Sequence, residues 1–470
     1  MGEETAGGKA SPASRRELVA GVGAGALAAA FHNASRAAGA DPIAAHARPI
    51  RSIEPGDEDY ADLQPFGDDV GDARIVQLGE CSHGAGVDFK AKVRLIKFLH
   101  ARLGFDVLVW ESGLHAMRRV NAGFRAGLDP VAAAQRGVFT IWSAAAEVKP
   151  LFEYARASQA SARPLEMAGF DCQFTARGAD QALAADLLAF AQGLEQPALR
   201  DAARADAQAA MAAYARIASR TATDADLRAG QAAADRLLGA IARHRDAFDH
   251  VHASRDVDFM ARAIESLRVF MGLAFDTTPG APGAVSAQSR DPTAFFNRRE
   301  AQNGRNLRWL AEQGYPGRKL IVWAHNVHVI NAAFAPDFAA LLPEPRSGDM
   351  APMGHSIAAA FGAEVYTLGL TSFSGDDRWV NSKAPATQIP TAPPRTLEAR
   401  LHDLRQPYLF LPTRNLDPAV RRGLGLRVFV PSPGSSPTSS RGLFTAPDLT
   451  RVFSGVLFID QARAATPLGA

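Results

Sequence analysis

At 470 residues and 47% hydrophobic, the chain can bury one large core or two ordinary ones. Lys plus Arg (51) nearly balances Asp plus Glu (49), which excludes a global field that would draw the protein to nucleic acid or an anionic membrane. The expected partner is a small molecule, with no nucleic acid and no stable membrane span, and the expected state is a monomer.

Residues Ser14-Arg15-Arg16-Glu17-Leu18-Val19 lead into LVAGVGAGALAAAF, a mildly apolar run that ends near Ala38-Gly39-Ala40. Charged start, apolar middle and A-x-A end predict a twin-arginine signal peptide over 1–40, and hence export to the periplasm or the extracellular space. The alternative is an Ala-rich tail that happens to carry two arginines. The run falls short of the ~20 strongly apolar residues that a membrane span needs. Two cysteines, Cys81 and Cys172, allow neither a disulfide framework nor a four-cysteine zinc site.

After the acidic segment GDEDYADLQPFGDD, RIVQLG (74–79) predicts a short buried strand. In 89–104, Phe89, Val93, Ile96, Leu99 and Leu103 fall at helical spacing with basic residues opposite, and Gly104 stops the helix. DVLVW (106–110) is a second buried strand ending in Glu111-Ser112-Gly113. Strand, helix and strand in this order pair in parallel. The same grammar returns in LEMAGFD (165–171), KLIVWAH (319–325) and AEVYTLGL (363–370).

Between 176 and 273 the pattern turns helical and Ala-rich, which predicts an insertion of two or three long antiparallel helices that could overhang the site. A Gly, Pro and Ser-rich stretch makes 274–292 a flexible loop. Helix resumes from Thr293 to Gln313, and YLFLP, LRVFV and VLFID predict short strands near the end, with PSPGSSPTSSRG as a connector. The expected fold is α/β, a central mostly parallel sheet flanked by helices, with the all-helical insertion over the strand C-terminal edge. Residues 41–175 and 293–470 form its two parts.

In an open parallel sheet the ligand crevice lies beyond the carboxyl ends of the strands. Glu80, His83, Glu111, Asp171, His325 and His328 all sit at such ends. Glu80 and His83 lie three residues apart in LGECSHG, where a carboxylate can fix the tautomer of an imidazole and raise its basicity. His325 and His328 flank Asn326 in WAHNVHV, and such a pair can bind a metal or donate to an oxyanion. Glu111 follows apolar residues and is either paired or aimed into the crevice. Lys92 reads as its partner, as a substrate contact, or as part of a solvated helix face. A Cys81 nucleophile is disfavoured because Glu80 and Glu111 would raise its pKa. Ser82 lacks the leading glycine of a GxSxG elbow.

These stretches resemble successive blocks of the erythromycin esterase family: LGECSHG with its basic helix, VWESG, MAGFDCQ, NRREAQNGRN with Asn306, VWAHNVHV, MGHSIAAAFGAEVYTLG and FSGVLFIDQARAATPL. Some members of that family are labelled as succinoglycan biosynthesis proteins. The resemblance implies an α/β fold and metal-independent hydrolysis of a carboxylic ester or macrolide lactone, with no cofactor. By position it implies His83 as general base with Glu80 beside it, and Glu111, His325 and His328 as further catalytic residues. Lys92, Asp171, Gln173, Asn326 and Arg299 become substrate-binding positions. Glu300 and Asn303 depart from the usual aspartate and methionine, which puts the substrate in doubt.

Two other readings remain open from the residues alone. Two carboxylates and three histidines suffice to bind zinc or iron, which would make a metal-binding hydrolase of the same cleft. A non-catalytic cell-envelope binding protein is the third. In an oxidising compartment, Cys81 and Cys172, each at a strand end, could form a disulfide if they are neighbours.

Overall fold

A computed structural model describes residues 41–277, 291–332, 349–414, 416–417, 420, 425–427, 443–445 and 452–469. The expected signal peptide, residues 278–290 of the expected 274–292 loop, and the 431–442 connector lie outside the described residues, while Ala274 and Phe275 close one helix and Pro292 opens another. Two units divide the chain. Met1–Ala45 includes a short 3-10 turn, Pro42–Ala45, and His46–Ala470 carries everything that follows.

The strands of the main sheet are β1 (Arg48–Pro49), β2 (Ile75–Leu78), β3 (Val107–Gly113), β4 (Glu166–Asp171), β5 (Leu320–Trp323), β6 (Val365–Asp377), β7 (Thr387–Ile389) and β8 (Tyr408–Pro412). Gly425–Arg427 and Leu443–Thr445 (β9 and β10) pair apart from it, and β11 (Gly455–Ala462) rejoins it. Among the described residues the sheet has nine strands, ordered β1-β8-β11-β6-β2-β5-β3-β4 with β7 on β6. The run from β11 to β4 is parallel, while β1, β7 and β8 are antiparallel additions. Ile75, Val76, Gln77 and Leu78 are all buried, as expected for a strand covered on both faces.

Helix α1 (Gly86–Leu103) starts three residues before the apolar pattern does and ends at Gly104, whose φ of 78° suits glycine. The middle of its basic face, Lys92, Arg94 and Lys97, is buried. The Arg94 guanidinium holds both carboxylate oxygens of Asp62 at 2.7 and 2.9 Å and donates to the carbonyls of Ser52, Asp57 and Asp59. Lys97 pairs with Glu58 at 2.7 Å. The acidic stretch that precedes the first long strand therefore lies along this face.

Strand β6 runs seven residues beyond the expected 363–370, because β11 pairs with it from Leu368 to Gly375 and β7 from Gly375 to Asp377. At Gly375 (φ 134°) a Cβ would collide with the backbone of Ala462.

Helix α2 (Leu114–Arg125) follows β3. The insertion holds four long helices rather than two or three: α3 (Ala179–Gln192), α4 (Pro197–Ala218), α5 (Asp224–Arg243) and α6 (Ser254–Phe275), with a short Arg245–Val251 helix between the last two. Pro197 opens α4, and Thr223 with Asp226 forms a capping box at the start of α5. Ala203, Ala207, Ala210, Ala213, Ala233 and Ala234 are buried between these helices. Cys172 and Phe174, just past the carboxyl end of β4, pack into the insertion's core. Helix α7 (Pro292–Trp309) follows and continues into one π turn, Leu310–Gly314. Among the described residues no helix is long and apolar enough to cross a membrane.

The disulfide does not form. Both thiols are free and buried, Cys81 among Ala85, Ile389 and Ala462, and Cys172 in the separate core of the insertion.

Candidate active site

The turn after β2 is fixed from four sides before any reactive side chain is considered. Asn326 spends its carboxamide on one residue of β6, donating to Leu370 O at 2.7 Å and accepting from Leu370 N at 3.1 Å. A Cβ on Gly79 would overlap that carboxamide, so glycine is required there. Ser82 Oγ donates to Asp377 Oδ1 at 2.6 Å, and Cys81 N donates to Asp88 Oδ2 at 2.8 Å. The segment after β11 straps the turn through Ala465 N to Gly84 O and Gly86 N to Arg463 O, each 2.7 Å. Burial pushes Asp88 up to about 7 and Asp377 up to about 6, so both carboxyls holding the turn titrate near neutrality.

Within this frame Glu80 is fully buried and receives three donors. His83 Nδ1 lies 2.7 Å from Oε1, Trp142 Nε1 is 3.1 Å from the same oxygen, and Lys92 Nζ is 2.8 Å from Oε2. Lys92 also donates to Ala324 O at 3.1 Å and stands 4.1 Å from the Trp323 ring centroid. Burial holds its ammonium below the usual lysine range, with Glu80 pulling the other way. A carboxylate accepts at Nδ1, so that nitrogen carries the proton and Nε2 presents its lone pair. Nε2 faces Glu111 Oε1 at 4.0 Å. The His83 side chain is 18% exposed against 5% or less for Glu80, Lys92, Glu111 and His328, which makes it the member of this group that a ligand can reach.

Glu111 sits at a bulge in β3, where the register with β4 shifts between Trp110 and Gly113. Bulges of this kind re-aim side chains. Oε1 meets His328 Nε2 and Arg299 Nη2, each at 3.0 Å, and Oε2 accepts from His325 N at 3.0 Å. Burial alone would raise this carboxyl, but His328, His83 and Arg299 outweigh it and hold Glu111 well below the usual range. Arg299 also grips Asp171 at 2.5 and 3.3 Å, and Gln173 contributes its backbone N–H to Asp171 Oδ1 at 3.1 Å.

The two histidines of WAHNVHV have different fates. His328 lies between Glu111 and Glu300, with Nδ1 2.8 Å from Glu300 Oε1. Burial opposes its charge, yet the two carboxylates prevail and hold it at about 10, so it is an imidazolium at neutral pH. His325 has Nδ1 accepting from Val327 N at 3.1 Å and Nε2 donating to Cys81 O at 3.1 Å. Burial, His83 and His328 push it down to about 3, so it stays neutral.

Thus Glu80, His83, Glu111, Asp171, His325 and His328 do converge, joined by Lys92 and Arg299. Lys92 is a buried counter-ion of Glu80, the Asn326 carboxamide ties β5 to β6, and both ring nitrogens of His325 are committed to backbone. Sequence reasoning missed Trp142 and Trp379, whose rings stand 5.4 and 5.7 Å from the His83 ring, and the clamping role of Glu300. Only the proximity of Glu300 to Arg299 hinted at that role. Among the described residues, no three of His, Cys, Asp and Glu are arranged as metal ligands. A separate 340 Å³ cavity, lined by Arg118, Asn121, Phe259, Trp309 and Tyr315 beside β4, contains none of these groups.

A family model described as Erythromycin esterase matches residues 100–462. The match begins after the 78–84 turn, so the structure, not the match, brings Glu80, His83 and Lys92 to the rest. The Bacillus subtilis (strain 168) protein named "Putative hydrolase YbfO" is 25% identical over 384 residues, covering 78% of this chain and 80% of the relative. A Bacillus cereus protein of known structure superposes with a TM-score of 0.72 at 17% identity, over 90% of this chain and 97% of that one. A succinoglycan biosynthesis protein gives 0.66 at 18%, over 90% and 96%. An erythromycin esterase variant in its open conformation gives 0.61 at 16%, over 90% and 99%. At such identities these three likenesses establish the fold.

Proposed function

The chain belongs to the erythromycin esterase family, and from that premise we propose that it hydrolyses a carboxylic ester or a macrolide-type lactone with water activated by His83. Family membership and the hydrolase-named relative support hydrolysis in general. The observation that carries the finer reading is His83 itself, with Nδ1 on Glu80 at 2.7 Å and Nε2 facing Glu111 at 4.0 Å. A water ~2.8 Å from both acceptors would subtend about 90° between them, close to its own bond angle. Such a water donates one hydrogen to Nε2 and the other to Glu111.

In the reaction Nε2 takes one proton, the water oxygen bonds to the acyl carbon, and the carbonyl π pair moves onto the acyl oxygen. Collapse breaks the bond to the alcohol oxygen, which receives the proton back from Nε2. Glu80, held by Lys92 and Trp142, stabilises the imidazolium that forms between these steps. Export through the 1–40 segment completes the proposal and rests on that segment alone. Incubation with a panel of macrolides and simple esters, followed by mass spectrometry, tests the reading. A product heavier by one water from a lactone, or an acid and alcohol from an open ester, supports it, and an unchanged panel opposes it.

A further inference from the structure

Resting on that hydrolytic reading, we propose that Trp379, just after β6, supplies a hydrogen-bond donor for the substrate's acyl oxygen through its indole N–H. The chemistry demands such donors, because negative charge collects on that oxygen as water attacks. Several polar groups near His83 already have partners. Lys92 Nζ serves Glu80 and Ala324 O, Arg299 Nη2 serves Glu111 and Asp171, His328 is ion-paired with Glu111 and Glu300, and the His325 ring nitrogens serve backbone.

Two indoles press on the His83 ring, and they differ in one respect. The Trp142 N–H is satisfied by Glu80 at 3.1 Å. The Trp379 N–H is buried and has no hydrogen-bond partner among the described residues, although its ring centroid is only 5.7 Å from that of His83. The adjacent Arg378 Nε–H is in the same condition. Buried N–H groups are rarely left unpaired, because each then loses its hydration without a replacement. One on a ring packed against the base is explained if a substrate oxygen completes it.

The segment is also fixed relative to the base. Asp377 receives the Ser82 hydroxyl at 2.6 Å, Arg378 N donates to Gly84 O at 3.3 Å, and a Cβ on Gly84 would strike the Arg378 backbone. Ser382 N closes the following turn onto Trp379 O at 2.9 Å. Donor and base are thus held by the same turn, which is the preorganisation that makes such hydrogen bonds effective. As the acyl π pair moves onto oxygen, that oxygen accepts from Trp379 Nε1–H. When the alcohol leaves, the pair returns and the carbonyl re-forms.

The test uses the full chain and Trp379→Phe, which keeps a ring against His83 and removes the N–H. Turnover of para-nitrophenyl butyrate should fall about 10²-fold in kcat with KM changed less than about 3-fold. In parallel, calorimetric binding of a phenyl butylphosphonate monoanion, whose oxygens stand in for the acyl oxyanion, should weaken by a comparable factor. If the wild-type protein cleaves no ester, the hydrolytic reading fails and the phosphonate arm still decides this inference. Equal phosphonate affinity in wild type and variant, or no binding to wild type, overturns it. Should Trp379→Phe fail to fold, benzothienylalanine at position 379 preserves the indole shape with sulfur in place of N–H and is read by the same two assays.

Discussion

Lys92 Nζ lies 2.8 Å from Glu80 Oε2, and neither side chain is exposed. Breaking such a pair from one side leaves a buried, uncompensated charge. Lys92→Met should therefore cost about 3–5 kcal/mol in urea unfolding. Adding Glu80→Gln should recover part of that loss. A single variant within about 1 kcal/mol of wild type would show the pair to be better solvated than its burial indicates.

Trp142 Nε1 and His83 Nδ1 share one oxygen of Glu80. Trp142→Phe removes one donor and retains the ring beside His83. Partners of this second kind usually cost 10–100-fold when lost, so kcat should fall about tenfold with KM unchanged. A raised KM with unchanged kcat would instead make Trp142 a substrate contact.

Asn326 replaces a strand neighbour for Leu370 by pairing both of its backbone groups. Asn326→Ala leaves a buried N–H and C=O without those partners and should lower stability by about 2–4 kcal/mol. In folded variant protein, KM should remain near wild type. Normal stability with a raised KM would return Asn326 to the substrate-binding set.

His328 is held at about 10 by Glu111 and Glu300, above the ~6.5 of an unfolded histidine. A raised folded-state value gives stability that is fully present below pH ~6.5 and is lost as pH rises towards 10. The unfolding free energy should decline over that window by a few kcal/mol at most. In His328→Gln the decline should be shallower, and what remains towards pH 10 comes from the thiols of Cys81 and Cys172, which burial raises. Parallel curves for the two proteins would contradict the imidazolium assignment.

The strand ends were legible because a parallel sheet delivers chemistry to one edge, and the apolar runs before Glu80, Glu111, Asp171 and His325 mark that edge. What each side chain faces was not. Lys92 and Arg94 occupy the same basic helix, yet Lys92 is buried on Glu80, and Arg94 under the acidic segment that includes Asp62. Helical spacing cannot separate these outcomes from a solvated face. Trp142 and Trp379 left no signal, since neither lies in a periodic run and their importance comes from contacts between distant segments. The insertion's helix count was hidden by its composition, because alanine continues through α3, α4 and α5 and only Pro197 and the Thr223 cap mark the breaks.

His83 Nε2 is the base in the proposed hydrolysis. The most direct test is His83→Ala on an ester that wild type cleaves, with kcat measured alongside circular dichroism and in the presence of added imidazole. A positioned base contributes roughly 10²–10⁴-fold, so kcat should fall by about 10³ in folded protein and rise again in part with free imidazole. Wild-type turnover by folded His83→Ala protein would contradict the claim.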